Sequence, residues 1–279
     1  MSGELILVAT PIGNLGDLAP RAVEVLRDCD VICCEDTRHS AGLLAAAQIP
    51  AGGRLKALHE HNEAEMAIEV VRWVFDGRRV ALITDAGTPG VSDPGQRVVA
   101  AVADAGLVVT TVPGPSAVIA ALTVSGLPME RFVMEGFVAR AAQEKRTQFA
   151  LWHREPRTIV CYESPQRVLD TLSAIVAIDP TWPIAVCREL TKLHEEVVRG
   201  SAIKVHDAFA DRDIKGEIVL VLGGHEVVEH VSDELLREEI SGLLSAGQSV
   251  RDVARRVSDL TGRAHREVYQ LALELARDE

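Results

Sequence analysis

Charged side chains that directly follow apolar runs are the first candidates for chemistry in this sequence. The string CCEDTRHS (33–40) places Asp36, Arg38 and His39 together after such a run. A guanidinium can hold a phosphate group through two hydrogen bonds, and a neighbouring carboxylate can accept a proton. We therefore predict a catalytic role for Asp36 and Arg38. The equal alternative is a structural Asp36–Arg38 pair that closes a turn.

Two histidines and a lysine lie in further charged strings. LHEHNE (58–63) holds His59 and His61 two residues apart, hence on one face of an extended chain. This spacing can bind a metal ion, but no third ligand is evident, so we predict no metal site and assign His61 to substrate contact or hydrogen bonding. Lys192 follows another apolar run, in RELTKLHEE (188–196); it contacts a ligand or belongs to a solvated charge cluster.

Four polar turns also follow apolar runs: TPIGN (10–14), TDAGTPGVSDPG (84–95), PGPSA (113–117) and YESPQR (162–167). We expect all four at carboxyl ends of strands, the edge where open α/β sheets bind ligands; the alternative is that they are structural turns. The three-glycine dinucleotide fingerprint and the phosphate-binding lysine motif are absent, and 84–95 contains no lysine or arginine. A neutral or cationic small molecule therefore fits better than an anionic dinucleotide.

Alternating strands and helices position these turns in the first half of the chain. Apolar runs predict strands at Leu5–Val8, Val31–Cys34, Leu55–Leu58, Val80–Ile83 and Val108–Val112, with helices at Pro20–Asp28, Ser40–Gln48, Glu63–Phe75 and Gln96–Ala105. This alternation is typical of an α/β unit with a largely parallel sheet. Further strands are predicted at Phe132–Glu135, Thr158–Cys161, Ile184–Cys187, Glu195–Gly200 and Ile218–Leu222, with some antiparallel pairing.

The chain is predicted to contain an N-terminal α/β domain (1–114), a C-terminal α/β domain (115–226) and a helical module (232–279). Within the module, Ser249 and Asp252 form an N-cap signal, and Val250, Val253, Ala254, Val257 and Leu260 fall on one helical face. Two short helices around Thr261-Gly262 resemble a helix-turn-helix. Their arginines, Arg255 and Arg256 among them, make this stretch basic.

The composition excludes few functions. A net charge of −12 argues against a nonspecific nucleic-acid coat, although one local basic face could still bind RNA. The uncharged stretch 105–129 is broken by Pro113-Gly114-Pro115, so we predict a strand, a turn and a buried helix rather than a membrane span. The five cysteines and the lack of a secretory signal favour reduced, buried thiols in a cytoplasmic protein.

The strings TPIGNLGDL, EDTRHS, HEHNE, ITDAGTPGVSDPG, PGPSA, YESPQR and CRELTKLHEE resemble those of the ribosomal RNA small subunit methyltransferase I family, part of the tetrapyrrole-methylase superfamily. The resemblance runs from about Leu5 to Leu222, and the tail resembles the family's helical module. It implies two α/β domains with an S-adenosylmethionine cleft between them. It also implies methylation of the ribose 2′-oxygen of a decoding-centre cytidine in 16S rRNA, by a homodimer.

The resemblance also implies roles for individual residues. The expected cofactor-binding residues are Pro11, Asp85, Gly87, Thr88, Val91, Ser116, Ala117, Glu163, Leu190, Glu217 and Ile218. Thr88 stands where the superfamily commonly has an aspartate, so Asp85 is expected to supply that charge. The expected contacts to substrate RNA are Arg38, His39, His61, Lys192, Arg255 and Arg256.

A ribose hydroxyl is a weak acid, so a proton acceptor would help its methylation. The candidates are Glu35, Asp36, His39, His59, His61 and Glu163, and Glu163 joins Asp36 and Arg38 as a predicted catalytic residue. Two other functions stay open: a methylase of a small cobalamin or sirohaem precursor, and a noncatalytic ribosome-associated factor.

Overall fold

The computed structural model describes residues 3–225, 233–261 and 263–278. The chain divides into two compact units, Met1–Gly224 and His225–Glu279. The first unit contains two five-stranded sheets, and the second consists of helices over its described residues. The predicted α/β class with a helical C-terminal part is confirmed. The predicted boundary at residue 114 coincides with the change from one sheet to the other, but it stays a prediction because both sheets belong to one compact unit.

The first sheet is parallel throughout and has the strand order β3-β2-β4-β1-β5. Its strands are β1 (Glu4–Val8), β2 (Val31–Cys34), β3 (Leu55–Ala57), β4 (Arg79–Leu82) and β5 (Val108–Val112). Its helices are α1 (Pro20–Asp28), α2 (Thr37–Ala46), α3 (Glu63–Phe75) and α4 (Gln96–Asp104), with a short 3-10 helix at Leu15–Asp17. Successive strand residues point to opposite faces, so Ile32 packs with the α1–α2 side and Val31 with the α3–α4 side.

Parallel strands present their carboxyl ends at one edge, so the turns after β1, β4 and β5 lie at the same edge, as predicted. The fourth turn, YESPQR, is different, because it follows a strand of the second sheet. The expectation of one shared edge is therefore correct for three of the four turns.

The second sheet is mixed and has the order β6-β7-β10-β8-β9. It comprises β6 (Phe132–Phe137), β7 (Thr158–Glu163), β8 (Pro183–Arg188), β9 (Glu196–Ser201) and β10 (Ile218–Leu222). Strand β10 runs antiparallel to both β7 and β8, and β9 antiparallel to β8, as expected for the predicted antiparallel pairing. Its helices are α5 (Ala117–Ser125), α6 (Ala142–Trp152), α7 (Val168–Ile178) and α8 (Ala202–Phe209). The apolar face of α5 packs on this sheet together with Ile12 from the turn after β1.

The second unit contains α9 (Asp233–Ser245), α10 (Val250–Thr261) and α11 (His265–Asp278). The predicted N-cap is present: the Asp252 N–H donates to Ser249 Oγ at 3.2 Å, and Ser249 Oγ donates to Asp252 Oδ2 at 2.7 Å. Val253, Ala254 and Val257 are fully buried, as predicted. Leu260, predicted on the same helical face, is 70% exposed. Its position around the helix axis puts it on the apolar face, but it lies in the last turn of α10, at the end of that face.

Candidate active site

Hydrogen bonds tie the three turns of the first sheet to one another. Thr10 and Gly87 exchange two backbone hydrogen bonds of 2.9 and 3.1 Å, which join the turns after β1 and β4. Thr88 Oγ1 donates to the Pro115 carbonyl at 3.1 Å and so joins the turn after β4 to the turn after β5. The predicted binding residues Gly87 and Thr88 therefore hold neighbouring turns together through hydrogen bonds in this structure.

A cavity of about 380 Å³, which we name the first cavity, opens where these turns meet the second sheet. Its lining is mostly apolar with several carboxylates, and the described residues contribute no lysine or arginine to it. The lining consists of Ile12, Ala86, Val91, Ser92, Asp93, Ala117, Phe137, Tyr162, Glu163, Ser164, Pro165, Gly216, Glu217, Ile218 and Val219. Five predicted cofactor residues are among them: Val91, Ala117, Glu163, Glu217 and Ile218.

A second cavity, of about 540 Å³, adjoins the first and shares Ile12, Ala86 and Glu217 with it. It differs from the first cavity in charge, because the cationic side chains of Arg38 and Lys192 belong to its lining. Its other lining residues are Pro11, Gly13, Leu15, Arg38, His39, Gly42, Leu43, Ala46, Asp85 and Lys192. Three residues predicted to contact RNA and three predicted to bind cofactor, the shared Glu217 among them, are thus brought together here, next to the first cavity.

The remaining predicted residues lie outside the linings of these two cavities. Ser116 is the N-cap residue of α5, and Leu190 is buried in the apolar cluster between α5 and the second sheet. His61 is exposed and makes an edge-on ring contact with His59, with centroids 6.0 Å apart. Arg255 and Arg256 are exposed on α10 of the second unit.

The carboxylate of Glu163 is fully occupied by neighbours. Its side chain is 0% exposed, and Oε1 accepts from the Ser164 N–H at 2.6 Å and from Arg167 Nε at 2.8 Å. Oε2 accepts from Thr171 Oγ1 at 2.6 Å. This arrangement argues against the predicted role of Glu163 as a proton acceptor, since both oxygens already hold donors. The residue fixes the start of α7 to the end of β7.

Asp36 and Arg38 form the structural pair that was one of the two predicted alternatives. Asp36 is the N-cap of α2: Oδ1 accepts from the Arg38 N–H at 2.8 Å, and Oδ2 lies 2.9 Å from Arg38 Nη2. The hydrogen bonds from Arg38 lower the pKa of Asp36 to about 2, which makes this carboxylate a weak base. The Arg38 side chain is 91% exposed, so its outer face can still receive an anion.

Lys192 lies where the turn after β8 meets the turn after β1. Its Nζ is 2.8 Å from Glu189 Oε1 and 2.9 Å from Glu217 Oε2. The contact with Gly13 is so close that a Cβ added there would clash with Lys192 Cγ. Glu189 and Thr191 both have left-handed backbone angles, φ +52° and +67°, which are strained for residues with a side chain. Such strain is typical of functional loops.

A further carboxylate, Asp93, was missed by the sequence-based prediction. It lines the first cavity, and burial raises its pKa to about 6, assisted by the nearby charges of Glu35 and Asp85. Burial and Asp85 also raise the pKa of Glu35. In the sequence, the Asp93 of SDPG looks like an ordinary turn-forming aspartate. In the structure, the neighbouring Ser92 has a left-handed backbone, φ +62°, which marks this turn as unusual.

Residues 4–205 match the family described as Tetrapyrrole (Corrin/Porphyrin) Methylases. Across 279 residues the chain is 41% identical to the ribosomal RNA small subunit methyltransferase I of Synechocystis sp., with 99% of each chain covered. The chain belongs to the ribosomal RNA small subunit methyltransferase I family. The member of that family from Mycobacterium tuberculosis is 40% identical, with 99% of this chain and 97% of the relative covered.

Solved structures confirm the tetrapyrrole-methylase fold. A uroporphyrin-III C-methyltransferase from Thermus thermophilus, complexed with S-adenyl homocysteine, superposes with a TM-score of 0.53 and 22% identity. The match covers 81% of this chain and 98% of that one. Among the helices of the described residues, none is both long enough and apolar enough to cross a membrane.

Proposed function

We propose that this protein transfers a methyl group from S-adenosylmethionine to the ribose 2′-oxygen of a decoding-centre cytidine in 16S rRNA. Similarity to ribosomal RNA small subunit methyltransferases I along 99% of the chain carries this proposal. Two adjoining cavities of different character support it, because a transferase must hold a donor and an acceptor side by side.

The chemistry of the first cavity fits the cofactor. S-adenosylmethionine is a sulfonium cation with an apolar purine, and it supplies an activated methyl group when bound. Val91, Ala117 and Ile218 offer apolar surface for a ring, and the volume of about 380 Å³ lies in the usual range for small-molecule sites. The Asp93 carboxylate, which forms no ion pair with a described residue, and the lack of lysine or arginine among the described lining residues suit a cation. We propose that Glu217 and Ile218 contribute through backbone groups at the start of β10.

The second cavity is proposed as the acceptor side. Arg38 presents an exposed guanidinium, and His39 and Lys192 lie in the same lining. Phosphate contacts of this kind fix the register of a nucleic acid. The chain's part in the reaction is then to orient the ribose hydroxyl and exclude water. Arg255 and Arg256 on α10, exposed to solvent, are proposed as additional phosphate contacts.

The site residues that line neither cavity have indirect parts in this proposal. Gly87 and Thr88 hold the turns around the first cavity, and Ser116 begins the helix that carries Ala117. Leu190 supports the second sheet beneath it. The family also leads us to propose a homodimer that acts in the cytoplasm, where small ribosomal subunits are found.

One assay separates this proposal from its two alternatives. Methyl-labelled S-adenosylmethionine is offered with isolated 30S subunits, with naked 16S rRNA and with precorrin or uroporphyrinogen substrates. Label in 16S rRNA, with or without assembled subunits, supports the proposal. Label in a tetrapyrrole alone would establish the small-molecule methylase. Cofactor binding with no transfer to any acceptor would favour the noncatalytic factor.

A further inference from the structure

The carboxylate of Asp93 lines the first cavity, and those of Glu35 and Asp85 lie near enough for their charges to act on it. Glu35 follows β2, Asp85 follows β4, and Asp93 comes later in the turn after β4 and lines the cavity itself. Their charges act on one another, since Glu35 and Asp85 both raise the pKa of Asp93. Within the part of the chain that the structure describes, no lysine or arginine forms an ion pair with any of the three.

None of the described groups that face Asp93 from the neighbouring elements supplies a positive charge to pair with its carboxylate. On the side of the second sheet are Tyr162, whose pKa is raised by burial and by Asp93, and Glu217, which is paired with Lys192. Glu163 is paired with Arg167, and Glu63 accepts the Gly95 and Arg97 N–H groups at the start of α4. His59 acts on Glu35 rather than on Asp93. Of the three carboxylates in the described lining of the first cavity, Asp93 is therefore the one without an ion-pair partner.

We propose that Asp93 makes the first cavity selective for the sulfonium of S-adenosylmethionine over the uncharged thioether of the product, S-adenosylhomocysteine. The inference rests on the proposed function, which places the cofactor in this cavity. The two molecules differ by one methyl group and one positive charge, so apolar contacts alone distinguish them weakly. A partly buried carboxylate distinguishes them by charge, because it attracts the cation through a medium less polar than water.

The protonation of Asp93 gives this proposal a measurable signature. With a pKa near 6, Asp93 loses its charge as the pH falls through 6. A bound cation favours the ionised carboxylate and lowers that pKa, so the cation binds more tightly above pH 6 than below it. If the bound cation returns the pKa of Asp93 to its ordinary 3.8, S-adenosylmethionine should bind about fourfold more tightly at about pH 7.5 than at about pH 5.5.

Calorimetric titration of the full-length protein at these two pH values tests the inference. For the wild type we expect the dissociation constant of S-adenosylmethionine to change about fourfold, and that of S-adenosylhomocysteine by less than about twofold. Asp93→Asn should abolish the pH dependence and reduce the preference for S-adenosylmethionine. Asp104→Asn, an exposed substitution at the end of α4, is the matched control and should behave as wild type.

A second measurement uses the wild type alone and so does not depend on the folding of a variant. Binding near pH 5.5, measured in two buffers of different ionisation enthalpy, should release protons with S-adenosylmethionine and almost none with S-adenosylhomocysteine. Equal pH dependence or equal proton release for both ligands would overturn the inference and leave the proposed function intact. Failure of both ligands to bind at pH 7.5 would overturn the proposed function, and this inference with it.

Discussion

Thr10 and Gly87 donate a backbone hydrogen bond to one another, at 2.9 and 3.1 Å, and so join two turns of the parallel sheet. Gly87 adopts φ +92°, a conformation that residues with a side chain rarely adopt. Space is not the constraint, since an added Cβ would lie 3.5 Å from Ile12 Cγ2, an ordinary contact. The backbone angle itself is what requires glycine here.

Gly87→Ala is therefore expected to strain the backbone at this link, which should lower the stability of the folded protein by about 1–2 kcal/mol. The distorted link should also weaken cofactor binding. The matched control is Gly53→Ala, because Gly53 also has a left-handed φ, +73°, with open space around it, in the turn before β3. Both variants should lower the melting temperature, but only Gly87→Ala should raise the dissociation constant of S-adenosylmethionine. Similar affinities in the two variants would show that the link does not shape the cavity.

Arg38→Ala is expected to reduce rRNA methylation while leaving cofactor affinity nearly unchanged. The N-cap of α2 survives this change, since Asp36 still accepts the backbone N–H of residue 38. Loss of one phosphate contact should weaken RNA binding by about 1 kcal/mol and lower its salt dependence by about one counterion. Arg72→Ala, which removes an exposed arginine paired with Glu69 on α3, is the control. If Arg38→Ala weakens cofactor and RNA binding equally, the Asp36–Arg38 pair is structural only.

Asp93→Asn is expected to stabilise the ligand-free protein at neutral pH. The folded state raises the pKa of Asp93 from 3.8 to about 6, so its penalty to stability is absent below pH 3.8, develops up to pH 6 and is constant above that. After allowance for the exposed part of the side chain, the gain at pH 7.5 should be about 1 kcal/mol, or about 2 °C in melting temperature. Thermal unfolding at several pH values measures this gain. An equal gain at pH 4 would refute an electrostatic cause.

Arg256→Ala in α10 is expected to weaken binding to 30S subunits and to lower its salt dependence. Arg256 is exposed, whereas Arg263 in the same unit is paired with both Asp233 and Glu267. Arg263→Ala should therefore lower the stability of the helical unit and leave the salt dependence of RNA binding nearly unchanged. Filter binding over a salt series distinguishes the two variants. An unchanged salt slope for Arg256→Ala would remove α10 from the proposed RNA surface.

The strands of the first sheet could be predicted because each is a short apolar run bounded by turn residues, as at Val31–Cys34. The turns after β1, β4 and β5 could be placed at one edge because the sheet is parallel. The hydrogen bonds that occupy Glu163 could not be foreseen in full, because two of their donors are side chains at the N-cap of α7 and within α7, Arg167 and Thr171. Asp93 was missed for a similar reason: its environment is built by Glu35 and Asp85, which approach it only in the folded chain.

Nucleoside analysis of the reaction product shows whether this chain methylates a ribose of small-subunit rRNA. Isolated 30S subunits are incubated with the protein and methyl-tritiated S-adenosylmethionine, and the 16S rRNA is then digested to nucleosides and separated. We expect the tritium to elute as 2′-O-methylcytidine. Tritium in a base-methylated nucleoside, or none in the rRNA although the protein binds S-adenosylmethionine, would contradict it.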